Sequence, residues 1–350
     1  MVQVKISHNI IALLLSVLCL SGCEGNRYVA FSGYAQGGVY TVKLNMRGVR
    51  QSPEQIRAHV DSLLEQIDFS LSGYNKASLL SRLNSGERIR PDSLLIRVYN
   101  ESYKYYEASG GAFDIAAGPL FDVWGFGFKS GSFPEAAQIE ALLRGCGTSR
   151  LRPTMEEAVG EDGMLCAEDL LMSRGAAPVL NFNAIAQGFT SDVIAEYLRG
   201  IGVTDMLVDI GEIFCSGRNP SGGGWSVGID APIDGNDTPG AQIEGVWNSE
   251  GRSVGIVTSG NYRKFYIKDG KKYAHTVDPR TGYPVQHGLL SATVVAPNAT
   301  AADAMATACM VLGPDAAREL ILSDPSLEAC LILDGDSTWT SPGFILKASK

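Results

Sequence analysis

The stretch TAADAMATACMVLG, Thr300 to Gly313, carries a single charge, Asp303, at the head of an apolar run, with Thr307 four residues later. A run this apolar reads as a helix buried in a core. Four residues are about one helical turn, so the carboxylate and the hydroxyl share a face. Two accounts fit. In the first, Thr300 is an N-cap, Asp303 completes a capping box, and Thr307 bonds back to the backbone one turn earlier. In the second, the pair presents hard oxygens to a divalent cation of the magnesium or calcium kind.

The rest of the chain is organised around that helix. From DMLVDIGEIFCSG, Asp205 to Gly217, short strands alternate with turns until the helix is reached, and two further strands close the chain. Upstream, FNAIAQGFTSDVIAEYLRGIG (Phe182–Gly202) reads as a loop running into a helix that Gly200 or Gly202 stops. PDSLLIRVYNESYKYYEASGG (Pro91–Gly111) and SPEQIRAHVDSLLEQIDFSLS (Ser52–Ser72) have helical spacing, the first closed by a glycine pair, the second opened by Ser-Pro-Glu. YAQGGVYTVKLN (Tyr34–Asn45) alternates like a strand. The polar, irregular segment from Ser149 to Leu170 reads as a surface insertion. No repeat or low-complexity linker appears. The expectation is a single large α+β domain over residues 31–350, bilobed or not, with mixed sheets and packed helices.

Composition narrows the function classes. At 350 residues, 45% hydrophobic and 19% charged, the chain can bury a full core. Its net charge of −9 contains no basic block, which argues against nucleic acid or anionic lipid head groups as main partners. An anionic ligand then needs a local device such as a metal ion. The N-terminus, with Lys5 before an apolar run from Ile10 to Leu20, has the shape of a signal peptide. Leu20-Ser21-Gly22-Cys23 resembles the lipobox of bacterial lipoproteins. Residues 1–22 are then a removed leader, Cys23 carries lipid, residues 23–30 form a tether, and the protein is held at a membrane of the cell envelope, facing outside the cytoplasm. Five further cysteines remain, Cys146, Cys166, Cys215, Cys309 and Cys330, without zinc-like spacing. Cys309 reads as a buried small hydrophobe. A bridge between Cys146 and Cys166 would close the polar segment.

Two other stretches carry candidate chemistry. SGGAFDIAAGPLFDVWGFG (Ser109–Gly127) combines glycines, which allow close backbone approach, with aromatic stacking surface and Asp114; a tight core turn would use the same residues. AHTVDPRTGYPV (Ala274–Val285) sets His275 before an Asp-Pro-x-x-Gly turn. A histidine there is either structural or a proton carrier.

Taken together, GGVYTV, SGYNKASLLSRLN, GGAFDIAAGPLFDVWGFG, FNAIAQGF, VDIGEIFCSG, TSGNYRKFY, HTVDPRTGYP and TVVAPNATAADAMATACMVLG resemble, in matching order, the ApbE family of FAD:protein FMN transferases. The resemblance implies a magnesium-dependent enzyme. FAD is its substrate; the FMN half passes to a threonine or serine hydroxyl of an acceptor protein and AMP is released. With water as acceptor the same chemistry is FAD hydrolysis. A lipoprotein that binds FAD without turnover is a further reading. The resemblance also implies metal binding by Asp303 and Thr307 with a backbone oxygen near Ala184. It implies flavin contacts at Gln36, Tyr74, Ala112, Phe113, Asp114, Asn181, Gln187 and Val277. His275 becomes the preferred acid/base group, with Asp303 the next candidate. The chain departs from the family pattern in three places. Asn181-Phe182-Asn183-Ala184-Ile185-Ala186-Gln187-Gly188 stands where Asp-Leu-Gly-Gly-Ile-Ala-Lys-Gly is common. Gly211 is single before Glu212, where the family glycine is usually doubled. Gln36-Gly37-Gly38 replaces Met-Gly-Thr.

Overall fold

Strands β1 (Tyr28–Ala35) and β2 (Gly38–Asn45) pair through a two-residue turn. Its residues, Gln36 and Gly37, both have positive φ, 50° and 82°, the geometry whose twist matches a hairpin and which Gly37 adopts without strain. The computed structural model describes residues 27–126, 133–233, 236, 238, 240–261, 265–268, 271–335 and 337–348; the leader, Cys23 and residues 24–26 of the expected tether lie outside them. The tether is shorter than expected at its far end. β1 starts at Tyr28, held by its pairing with Asn45 and by a hydrogen bond from its hydroxyl to the Arg218 carbonyl, 2.6 Å.

The hairpin is the edge of an eight-stranded sheet ordered β1-β2-β3-β4-β7-β12-β13-β14. Its other members are β3 (Met206–Asp209), β4 (Ile213–Ser216), β7 (Val254–Gly260), β12 (Leu289–Ala296), β13 (Glu328–Leu333) and β14 (Ser337–Thr340). The remaining strands are β5 (Ser226–Asp230), β6 (Ile243–Asn248), β8 (Phe265–Lys268), β9 (Lys271–Ala274), β10 (Val277–Asp278), β11 (Tyr283–Pro284) and β15 (Lys347–Ala348). Mixed strand directions were expected, but every described pairing is antiparallel. Tight reversals such as Gln36-Gly37 and Ile210–Glu212 join neighbours directly and so turn the chain back on itself.

The large sheet is covered on both faces, and the side-chain period of two sorts its residues. In β13, Ala329 and Leu331 join the main helical core, whereas Cys330 and Ile332 face Trp225, Trp247 and Phe344 of the small β15-β6-β5 layer. The helical side holds α1 (Pro53–Leu71), α2 (Leu79–Asn84), α3 (Ser93–Ala108), α4 (Gly118–Val123), α5 (Ala136–Leu143), α6 (Ala186–Gly200), α7 (Ala299–Leu312) and α8 (Pro314–Ser323). α1 begins at a full capping box between Ser52 and Gln55. The eight-stranded antiparallel sheet is the frame of this α+β domain, with three smaller sheets beside it among the described residues.

Two expectations are corrected here. The segment from Ser149 to Leu170 is irregular, built on short 3-10 turns, yet Leu151, Met155, Leu165 and Leu170 are buried in the main core, tied in by bridges Ile89–Leu165 and Leu151–Leu171. Its apolar residues lack a period because no regular element presents them. Cys146 and Cys166 form no bridge; all five described cysteines are free. Cys146 is buried, while the half-buried Cys166 thiol donates to Asp169 at 3.1 Å.

Candidate functional site

The loop from Leu180 to Ile185 delivers the chain to the foot of α6, and hydrogen bonds fix each step. Asn84 holds Leu180 at both its N–H and its carbonyl, each at 2.8 Å. The Asn181 N–H donates to the Ile115 carbonyl at 2.8 Å, and its side-chain oxygen accepts from the Asn183 N–H at 2.9 Å. The Asn183 amide donates to the exposed Tyr74 hydroxyl at 3.2 Å. Gly118 of the Gly-Pro-Leu motif lies under this loop, where a Cβ would stand 2.9 Å from the Val179 carbonyl. Gln36 reaches α6 from the hairpin, donating to the Thr190 hydroxyl at 2.6 Å. Gln187 donates to the Ile210 carbonyl at 3.0 Å and occupies the space a side chain at Gly211 would need. Tyr74, Asn181, Gln187 and Gln36 are therefore gathered around the first two turns of α6.

α7 is capped otherwise than its sequence predicts. Asn298, not Thr300, is the N-cap, accepting from the Ala301 N–H at 2.7 Å. Thr300 lies inside the helix, buried, and Asp303 completes no capping box. Asp303, 5% exposed, instead accepts at one carboxylate oxygen from the Gly188 N–H of α6, 3.0 Å. Among the described residues the Thr307 hydroxyl makes no bond back along its helix. Gly188 is the third residue of α6, so its N–H is one of the helix-start donors that no intrahelical carbonyl takes, and Asp303 satisfies it. The Ala184 carbonyl, just before the N-cap Ile185, accepts no backbone hydrogen bond among the described residues.

The electrostatics of this corner oppose negative charge. Burial, with a smaller contribution from Asp192, pushes the Asp303 carboxyl up to about 7 against the Gly188 bond. Burial and then the charges of Asp303 and Asp209 hold Glu212 well above the usual carboxylate range. Burial also raises Asp209, countered by the Gly211 N–H. Among the described residues no three His, Cys, Asp or Glu side chains gather as a cage. The donor set at hand is a carboxylate, a hydroxyl and a carbonyl, hard oxygens of the kind magnesium takes, in a place where a cation would offset the cost of buried charge.

The glycine-aromatic segment and the His275 segment meet beside it. Val277 is buried with Leu120, Trp124 and Ile139, and the Trp124 indole N–H donates to the Gly282 carbonyl at 2.8 Å. Gly282, at φ 77°, closes the expected turn, with its N–H on the Asp278 carbonyl. His275 is half-buried, its ring 6.3 Å from that of Phe126, and β10 packs on α7. Ala112 and Phe113 are buried in the main core. The Asp114 carboxylate is taken by the Ala116 N–H at 2.7 Å and by the Thr148 N–H and hydroxyl at 3.1 and 2.7 Å. The Ala112 and Phe113 N–H groups are taken as well, by the Ser109 carbonyl at 3.3 Å and hydroxyl at 3.0 Å.

Asp192 and Glu212 were not singled out by the sequence. The run Thr190-Ser191-Asp192, three polar residues all buried in α6, is the signal that was there to find. A polar cleft of ≈ 280 Å³ is lined by Asp192 and Thr300 together with Arg97, Glu101, Glu196 and Arg199. It offers charge but no apolar wall for a flavin ring.

Comparison with known proteins agrees with this layout. A sequence model described as the ApbE family matches residues 37–331. The FAD:protein FMN transferase of Haemophilus influenzae is 29% identical over 355 residues, covering 99% of this chain and 96% of that protein. That of Vibrio cholerae is 31% identical over 313 residues, 88% of each. Among solved structures, the apo flavinyl transferase ApbE of Pseudomonas stutzeri superposes with a TM-score of 0.75 at 30% identity, covering 92% of this chain and 95% of that one. The Vibrio cholerae flavin transferase ApbE does so at 0.73 and 26%, covering 91% and 99%.

Proposed function

The chain belongs to the ApbE family, and from that premise we propose that it transfers FMN from FAD to a threonine or serine hydroxyl of an acceptor protein, releasing AMP, with magnesium held by Asp303, Thr307 and the Ala184 carbonyl. The observation that supports the metal assignment is the Gly188 N–H, which fixes one oxygen of the buried Asp303 at the start of α6, next to an Ala184 carbonyl that accepts no backbone hydrogen bond among the described residues. Bound there, magnesium would neutralise pyrophosphate charge and stabilise the leaving AMP. The protein's own part is positioning. The loop from Asn181 to Ile185, with Gln187, holds the FMN half in line with the incoming hydroxyl, and His275 takes the proton of that hydroxyl. Water in place of the acceptor gives FAD hydrolysis from the same arrangement.

Incubation with FAD, magnesium and candidate acceptors tests the reading. Wild type should release AMP and label the acceptor, and Asp303→Asn should do neither while remaining folded. Magnesium-independent turnover, or normal turnover by that variant, would remove the metal assignment; a protein that binds FAD and releases no AMP would be a flavin-binding lipoprotein. We also propose that Cys23 carries a lipid anchor at the cell envelope, on the strength of the Leu20-Ser21-Gly22-Cys23 element. Cys23→Ser should move the protein to the soluble fraction on cell fractionation; unchanged membrane association would point to another anchor.

A further inference from the structure

The site proposed above takes one ligand from the foot of α6, Ala184, and two from α7, Asp303 and Thr307, so its geometry depends on how those helices are registered. Two clamps join them. At the first, the Gly188 N–H donates to Asp303, 3.0 Å. At the second, Asp192, 6% exposed, accepts from the Ala299 N–H at 2.9 Å, the Thr300 N–H at 2.8 Å and the Thr300 hydroxyl at 2.5 Å. Asp192 lies four residues after Gly188 on α6, and Ala299 lies four residues before Asp303 on α7. The clamps therefore repeat one turn apart on both helices, as antiparallel packing requires.

The two helices touch between the clamps. A Cβ at Gly188 would stand 2.7 Å from the Asp303 Cβ and would meet the Ala299 carbonyl. Asn298 caps only the Ala301 N–H from within its own segment, and Asp192 takes the Ala299 and Thr300 N–H groups that remain. What Asp192 adds is a cap supplied by a different helix, which converts an end of α7 into a fixed point on α6. We propose that Asp192 is a positioning residue that sets the register of α7 on α6 and thereby the geometry of the cation site. It acts from one turn away, about 6 Å along the helix axis, and touches neither cation nor FAD. This inference rests on the metal assignment made above.

Manganese binding to the full chain, read by the loss of the free-ion EPR signal, separates the two ideas. Wild type should bind Mn²⁺ and Asp303→Asn should not. Asp192→Asn, which keeps the size and removes the charged acceptor, should weaken Mn²⁺ binding about 10- to 100-fold, as losses of outer supporting groups do. It should raise the Mg²⁺ concentration for half-maximal AMP release in parallel, while turnover at saturating Mg²⁺ falls less. Thr300→Val, which loses one of the three bonds, should fall between, and Thr300→Ser should restore wild-type affinity. A folded Asp192→Asn protein with wild-type Mn²⁺ affinity and a lowered melting temperature would overturn the proposal, leaving Asp192 a structural cap. If Asp192→Asn does not fold, Thr300→Val with wild-type Mn²⁺ affinity overturns it equally. Binding that survives Asp303→Asn, or no binding by wild type, would remove the metal assignment and this inference with it.

Discussion

His275 and Asp114 came from the sequence with similar standing, and their surroundings divide them. Asp114 has its carboxylate filled by three donors from Ala116 and Thr148, so its work is to fasten two loops. His275 stands half-buried where the strand toward β10 meets the glycine-aromatic segment, on the side of the domain where β10 lies against α7. An imidazole is a common general base, and the function proposed above gives this one the proton of the incoming hydroxyl. His275→Ala should then lower FMN transfer by about 10²-fold or more, with FAD affinity by fluorescence titration little changed. Affinity that fell in step with transfer would make His275 a ligand contact and pass the proton to Asp303. Local sequence could not divide the two residues, since a carboxylate after a glycine turn reads alike whether its partners are loop N–H groups or a ligand.

At the scale of elements, helices with their own caps were legible and contacts between elements were not. Ser52 and Gln55 announce α1 because both partners of the capping box lie within four residues. The start of α7 was misplaced at Thr300 because the true cap, Asn298, and the clamp residue, Asp192, divide between them a role the sequence offers to one threonine. The segment from Ser149 to Leu170 looked like an insertion because its core residues follow no period, and β1 was curtailed because the edge strand was read as the end of a tether. The glycine of FNAIAQG shows the same limit. Its need for no side chain comes from α7, more than a hundred residues away. Gly188→Ala forces a Cβ against the Ala299 carbonyl and the Asp303 Cβ, so the helices must part. The expected cost is about 1–3 kcal/mol of stability, read by chemical denaturation, together with loss of AMP release even in protein that remains folded. A variant of normal stability and activity would mean that the α6–α7 contact is looser than drawn.

For the whole molecule, the telling feature is how many carboxyls are held away from water inside a chain of net charge −9. Asp114, Asp192, Asp209, Glu212 and Asp303 are all raised above the ordinary carboxylate range, burial being the first cause at each. At Asp303, pushed up to about 7, and at Glu212, held well above the usual range, the native state keeps protons which the unfolded chain gives up at about pH 4. Their contribution to stability is therefore full at acid pH and is lost as pH climbs through the native values. Self-repulsion of the negative chain acts in the same direction. In chelator, the melting temperature by calorimetry should accordingly be higher at pH 5.5 than at pH 7.5. On the metal assignment proposed above, magnesium would bind the folded state with Asp303 ionised, so it should raise the melting temperature more at pH 7.5 than at pH 5.5, and that gain should vanish in Asp303→Asn. A melting temperature that rose with pH in chelator would show these carboxyls ionised and well bonded in the native state, and the case for a cation offsetting buried charge at Asp303 would fall with it.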